Sequence, residues 1–160
     1  PAREAVVTGG RARAAGPAVQ ASAADWEHFA HGADIGVRGH GASPAQAFEQ
    51  AGLALTAVVT QPANVRQAIT VDIRCRAPDL ELLLYEWLNS LVYHMATQHL
   101  LFSGFSVRIA GDELEAEARG EPVDVERHAP AVEVKGATLT ELAVRQDDDG
   151  RWRAQCVLDV

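Results

Sequence analysis

The chain has 160 residues, 48% of them hydrophobic and 22% charged, with a formal net charge of −8, which is enough for one domain with a real core and too little for two comfortable ones. No apolar run approaches the roughly 20 residues that cross a bilayer, so a membrane-spanning helix is excluded and a soluble protein is expected. Cys75 and Cys156 lie in apolar-alternating segments and not in a CxxC pair, which excludes a zinc cluster or disulfide framework and reads as two reduced, buried thiols.

The first 25 residues are mostly Ala, Gly, Arg and Pro and have almost no large apolar side chains, a composition that cannot offset its ordering entropy by burial. The expected organisation is a flexible tail over residues 1–25 and one domain over 26–160. Gly9, Gly10 and the Arg11–Arg13 region interrupt any signal-like apolar stretch, so a cytoplasmic address is expected. Arg3, Arg11 and Arg13 against Glu4 and Asp25 make the tail slightly positive, so the acidity belongs to the domain. Such a domain is repelled by phosphate backbones, which argues against direct nucleic-acid binding and in favour of a metal or a cationic partner.

Order is expected to begin at Trp26, where WEHF alternates. After an HGAD break the strand pattern resumes in Ile35-Gly36-Val37-Arg38. A helix follows: Ser43 is a good N-cap, Pro44 sits at the first helical position and Gln46 completes a capping-box pattern. Ala47, Phe48, Ala51, Leu55 and Val58 then recur at helical spacing. Ile69, Val71, Ile73 and Cys75 alternate with Thr70, Asp72, Arg74 and Arg76, the period of a strand with one wet face. Asp79 opens a second helix whose stripe is Leu80, Leu83, Leu84, Trp87, Leu88, Leu91 and Met95. The remainder reads as strands: Phe102–Ile109, Leu114–Ala118 after an AGDE turn, a strand through Leu142 and Val144, and Trp152–Val160 after QDDDG. The fold class is therefore α+β, a two-layer sandwich of a largely antiparallel sheet with two main helices.

Few residues are candidates for chemistry. Asp34 lies where one strand gives way to the next, either as a turn-forming aspartate or as a ligand. Asp159 faces away from Trp152, Ala154, Cys156 and Leu158 in the last strand. It is either a solvated edge charge or, with main-chain or terminal oxygens of Val160, a hard-oxygen corner for a metal. Spacing alone does not bring Asp34 and Asp159 together. Lys135 is the only lysine among 14 basic residues, a point charge where every other basic position has a planar guanidinium. His31 and His128 flank irregular regions as possible ligands or acid–base groups. No HExxH, phosphate loop or nucleophile elbow is present, so those enzyme classes are set aside.

In combination, HGADIGVRGHG before a capped helix with AFEQAGLAL, then LLYEWLNSLVY, EVKGATLTEL and RWRAQCVLDV, resemble the archease family from Trp26 to Val160. The resemblance implies an activator, not an enzyme: a protein cofactor of the GTP- and manganese-dependent RNA ligase of tRNA splicing and RNA repair, promoting ligase guanylylation and repeated turnover. It places the family's metal aspartates on Asp34 and Asp159, assisted by the main-chain oxygen of Val160, its functional lysine on Lys135 and its first-motif histidine on His31. The implied cofactor is a divalent cation, Ca²⁺ first, with Mn²⁺ or Mg²⁺ as alternatives; the implied partner is the ligase, with no membrane and with self-association compatible. Two departures stand out, Gly32 in place of a threonine, and Leu139-Thr140 in place of an aromatic and a histidine. Gly32 is expected to loosen the loop that aims Asp34. The competing readings are a stand-alone metal-dependent phosphohydrolase using Asp34, Asp159 and His31 as base, and a chaperone-like binding module that needs no metal.

Overall fold

The computed structural model describes residues 24–160; the tail expected over residues 1–25 lies, as far as residue 23, outside them. β1 (Asp25–His31) and β2 (Asp34–Gly41) form an antiparallel hairpin in which His31 pairs with Asp34. The break expected over HGAD therefore shrinks to a turn of two residues, Gly32 and Ala33. Gly32 has φ +60°, the left-handed geometry that tight hairpins require and that glycine adopts without strain. Gly32 thus supplies the positive φ of this two-residue turn.

The helix that follows, α1 (Pro44–Val59), starts as its sequence predicts: Ser43 Oγ accepts from the Gln46 N–H at 3.1 Å. The Gln46 side chain accepts from the N–H of Ala42, one residue before the cap, at 2.6 Å. Ala47, Phe48, Ala51, Ala54 and Leu55 are completely buried on one side of the helix. That side lies directly on β2, and the approach is close because β2 offers no side chain at the crossing. A Cβ on Gly39 would collide with the backbone of Ala47 and Ala51.

A 3₁₀ turn at Pro62–Asn64 leads to β3 (Ile69–Arg76), where Ile73 is buried while Thr70, Asp72, Arg74 and Arg76 are exposed. Asp79 caps α2 (Leu80–Gln98), accepting from the Leu82 N–H at 2.8 Å. The expected stripe of α2 is buried at Leu83, Leu84, Trp87, Leu88 and Leu91. Its Trp87 indole donates to the Phe48 carbonyl of α1 at 3.0 Å, so the buried ring is satisfied as well as packed. β4 (Leu100–Ala110) and β5 (Glu113–Pro122) follow, then the short α3 (Val125–His128), β6 (Gly136–Ala137), β7 (Ala143–Gln146) and β8 (Trp152–Asp159). α3 and β6 were not foreseen, because elements of four and two residues are too short to carry a periodic signal.

The fold is α+β, and all strand pairings are antiparallel. The strands divide between two sheets: β1-β2-β8-β6, with β7 also on β8, and β3-β5-β4. Both sheets and both long helices contribute to one core that includes Val37, Phe48, Trp87, Phe102, Leu114 and Leu158. Among the described residues no helix is long and apolar enough to cross a membrane. We predict that Gly39→Ala, which forces α1 off β2, destabilises the chain by about 2–3 kcal/mol. The check is the urea unfolding midpoint, and an unchanged midpoint would show that the helix does not depend on that close approach.

Candidate functional site

The larger sheet ends in a row of polar residues. His31 of β1 stands opposite Asp34 of β2, and Asp159 of β8 stands opposite Gly136 of β6. Between these pairs, β2 and β8 run with Ile35 opposite Leu158, and one residue further in the same register Asp34 stands beside Asp159. Directly opposed residues share a face of a sheet, so His31, Asp34 and Asp159 project from the same one. It is the face turned away from α1 and α2, since Ala154, Cys156 and Leu158 on the other face are completely buried in the core. Asp34 is half-buried, while Asp159 and His31 are exposed.

Two carboxylates side by side on neighbouring strands repel each other. Among the described residues, neither has a cationic side chain in ion-pair contact. Nor, among the described residues, does any group of three or more His, Cys, Asp and Glu side chains gather to hold a metal. A cation held here would therefore draw on main-chain oxygens besides the two carboxylates. The carbonyl of Asp159 is already taken by the Lys135 N–H at 2.8 Å, and Val160 follows directly.

The nearest guanidinium on this face is committed elsewhere. One row further along the strands, the Phe29 ring lies over Gly36, whose missing side chain makes room for it. Arg38 stacks on that ring with its guanidinium 4.4 Å from the ring centroid, a cation–π contact. Its Nε donates to Gln155 at 2.8 Å, and Glu27 lies 3.4 Å away. Arg38 is thus spent on the sheet, leaving the acidic end of the row unneutralised.

Lys135 arrives at the same corner from the other edge of β8. Its N–H bonds to Asp159 while Gly136 and Ala137 pair with Asp159 and Leu158, and its ammonium is exposed. His31, Asp34, Lys135, Asp159 and Val160 are therefore all at one end of one sheet. His128 is elsewhere in function: it is buried, its Nδ1 accepts from the Asp124 N–H at 2.8 Å and its Nε2 lies 2.9 Å from Glu121. That is a satisfied structural histidine, not a ligand.

The model of the Archease protein family matches residues 26–160 of the chain. The chain belongs to the archease family. It is 39% identical over 139 residues to the protein archease of Pyrococcus furiosus, covering 84% of this chain and 98% of that one. It is 36% identical over 137 residues to the protein archease of Sulfolobus acidocaldarius, again over 84% and 98% of the two chains. In three dimensions it is similar to the solution structure of Methanobacterium thermoautotrophicum protein 1598, with a TM-score of 0.74, 33% identity and coverage of 84% of this chain and 98% of that one.

Set against this archease fold, the second departure, Leu139-Thr140, leaves the edge of β8 intact. Thr138 donates through N–H and hydroxyl to the Val157 carbonyl at 3.0 and 2.7 Å, and the Thr140 carbonyl accepts from the Val157 N–H at 3.1 Å. The pairing is carried by main chain and Thr138, and the Leu139 side chain is left 62% exposed. Of the two thiols expected to be buried, Cys156 lies in the core, where burial pushes it up to about 12, whereas Cys75 is only half-buried against the core, its thiol raised by that partial burial. A raised thiol is the opposite of the low-pKa, exposed setting that activates a cysteine.

A cluster that the sequence reading missed anchors the segment leading to Lys135. The buried Glu121 carboxylate accepts from both ends of the Arg127 guanidinium at 2.6 and 2.9 Å and from the Arg66 N–H at 2.7 Å. The His128 carbonyl accepts from the Thr60 hydroxyl at 2.6 Å, tying α3 to the end of α1. Its one sequence signal was Asp124, which caps VERH. The Arg127 hydrogen bonds, helped by the Arg66 N–H and His128, hold the Glu121 carboxyl well below its ordinary value despite burial. A depressed carboxyl stabilises the fold above the unfolded value, about 4.3, and that contribution is lost as pH falls through the folded one. We predict that Glu121→Gln is less stable than the parent at neutral pH and loses less stability on acidification below about pH 4. Parallel stability curves for the two proteins in urea titrations across pH would contradict this.

Proposed function

We propose that the chain is a non-catalytic activator of a GTP- and manganese-dependent RNA ligase, acting through a divalent cation carried at the acidic corner. Membership of the archease family supports the partner. The single observation that supports the cation is the position of Asp34 beside Asp159, on the free face of the sheet and without a cationic partner among the described residues.

The donor set fits a hard cation. Two carboxylates and the main-chain oxygen of Val160 suit Ca²⁺, Mn²⁺ or Mg²⁺, whereas zinc favours nitrogen and sulfur ligands. In this reading Asp34 and Asp159 are the side-chain ligands and Val160 supplies the main-chain one, with Ca²⁺ the ion taken up most readily in vitro. When bound, such a cation supplies a concentrated positive charge that offsets the repulsion of the two carboxylates and polarises phosphate oxygens near it. Asp34 and Asp159 stand on paired strands, so their carboxylates are presented to a partner with little freedom to lose. Lys135 offers an exposed point charge at the same end of the sheet for a carboxylate or phosphate of the ligase–GTP complex, and His31 completes the contact from β1. The net charge of −8 opposes contact with an RNA backbone and favours a positively charged pocket on the ligase. The reading places the chain with its ligase in the cytoplasm.

The test mixes the purified chain with the ligase, GTP and Mn²⁺ and follows covalent guanylylation of the ligase over several turnovers. The intact chain is expected to accelerate guanylylation, and Asp34→Ala or Asp159→Ala to lower that stimulation at least about tenfold, with a matching loss of Ca²⁺ affinity in calorimetry. Full stimulation by Asp34→Ala would overturn the metal reading. Chelator-sensitive phosphatase turnover by the pure chain would replace it with the hydrolase reading.

A further inference from the structure

The acidic corner is built from three strands, of which β6 is the weakest: two residues, Gly136 and Ala137, paired on one edge only with β8. Among the described residues its other edge meets no strand. It meets the side chain of Asn89, in the middle of α2. The Ala137 N–H donates to Asn89 Oδ1 at 2.9 Å, and Asn89 Nδ2 donates to the Ala137 carbonyl at 3.3 Å. Those two contacts reproduce the donor–acceptor pair that a neighbouring strand would have supplied. The second hydrogen of the amide group is directed to the Tyr85 carbonyl one turn earlier, at 3.2 Å.

An asparagine in a helix interior competes with the helix for hydrogen bonds, and its neighbours in the stripe of α2, Leu88 and Leu91, are wholly buried apolar residues. The position therefore calls for a role other than helix formation. Ala137 is itself buried at 7% exposure, so its main-chain groups are shielded from water and depend on a protein partner. Gly136 completes the fit, since a Cβ there would come within 3.3 Å of Asn89 Oδ1.

We propose that Asn89 is a positioning residue of the acidic corner. It serves as the missing strand for β6 and thereby fixes Lys135, and the Asp159 main chain that Lys135 binds, for the partner. The chemistry at this position is narrow. Aspartate keeps the acceptor for the Ala137 N–H but sets an oxygen against the Ala137 carbonyl, and leucine keeps the size but leaves both groups unpaired. The role in partner activation rests on the function proposed above; the role in holding β6 does not.

The experiment therefore has two arms. In the first, amide hydrogen exchange of the intact chain is compared with Asn89→Leu and Asn89→Asp. Asn89→Leu is expected to speed exchange at Ala137 at least tenfold, with Leu91 and Val157 unchanged, and Asn89→Asp to give a smaller increase. In the second arm, stimulation of ligase guanylylation is measured for Asn89→Leu, Lys135→Ala and the double variant. The single variants should each lose stimulation and the double variant should be no worse than Lys135→Ala, because Asn89 acts through Lys135. Simple loss of stability would instead multiply the two effects. Ala137 exchange unchanged in both variants, or multiplicative losses in the second arm, would overturn the proposal. If the parent chain itself gives no stimulation, the proposed function fails while the exchange arm still decides the positioning role; Asn89→Asp serves if Asn89→Leu does not fold.

Discussion

The acidic corner depends on the register of β2 against β8. These strands lie far apart in the chain, and their pairing puts Val37 opposite Cys156 and Ile35 opposite Leu158. A slip of one residue would turn every side chain to the other face, burying the carboxylates of Asp34 or Asp159 against the helices and exposing Val37, Cys156 or Leu158. The register is held from the core side, where Val37, Ala154, Cys156 and Leu158 are completely or almost completely buried. It is also held by α1, which rests on Gly39 where no side chain intervenes. Hydrophobic burial on one face thus decides what the opposite face presents.

That presented face is not uniformly charged. Arg38 is occupied by the Phe29 ring, Gln155 and Glu27, and Arg153 pairs with Asp147 at 3.4 Å, while Arg145, opposite Arg153, is exposed and without an ion pair among the described residues. On the smaller sheet the exposed Glu113 and Glu115 meet Arg76, Arg74 and Arg108, a solvated ladder of the kind that contributes little to stability. Not every acid is matched: Asp72, directly opposite Glu117 on the smaller sheet, has no ion pair among the described residues, and Asp34 and Asp159 likewise stand together without one. Unmatched like charges held by rigid strands are a local cost that a cation or a positively charged partner would relieve.

The other edge of the corner is held by polar contacts in place of apolar burial. Glu121, Arg127, His128 and Thr60 fasten α3, and Asn89 closes the open edge of β6. Between these two anchors the chain passes through Val134, which is buried, to the exposed Lys135. Hydrogen bonds of defined direction suit this task, because a two-residue strand has too little apolar surface to fix its own position.

Short stretches of chain were enough to read the local elements and the identity of the chemically distinctive residues. The Ser43 and Asp79 caps, the stripes of both long helices and the alternation of β3 were legible because capping and side-chain period act between residues a few positions apart. Asp34, Asp159 and the lone lysine were likewise visible as types, and the family resemblance named them together. Long-range packing set the rest: the division of the strands into two sheets, the juxtaposition of Asp34 and Asp159, and the hold of Glu121 and Asn89 on the approach to Lys135. Strand pairing and side-chain-to-backbone hydrogen bonds join residues through space, across 48 positions for Asn89 and Ala137. No pattern within a single segment encodes which distant main-chain groups such a side chain will meet.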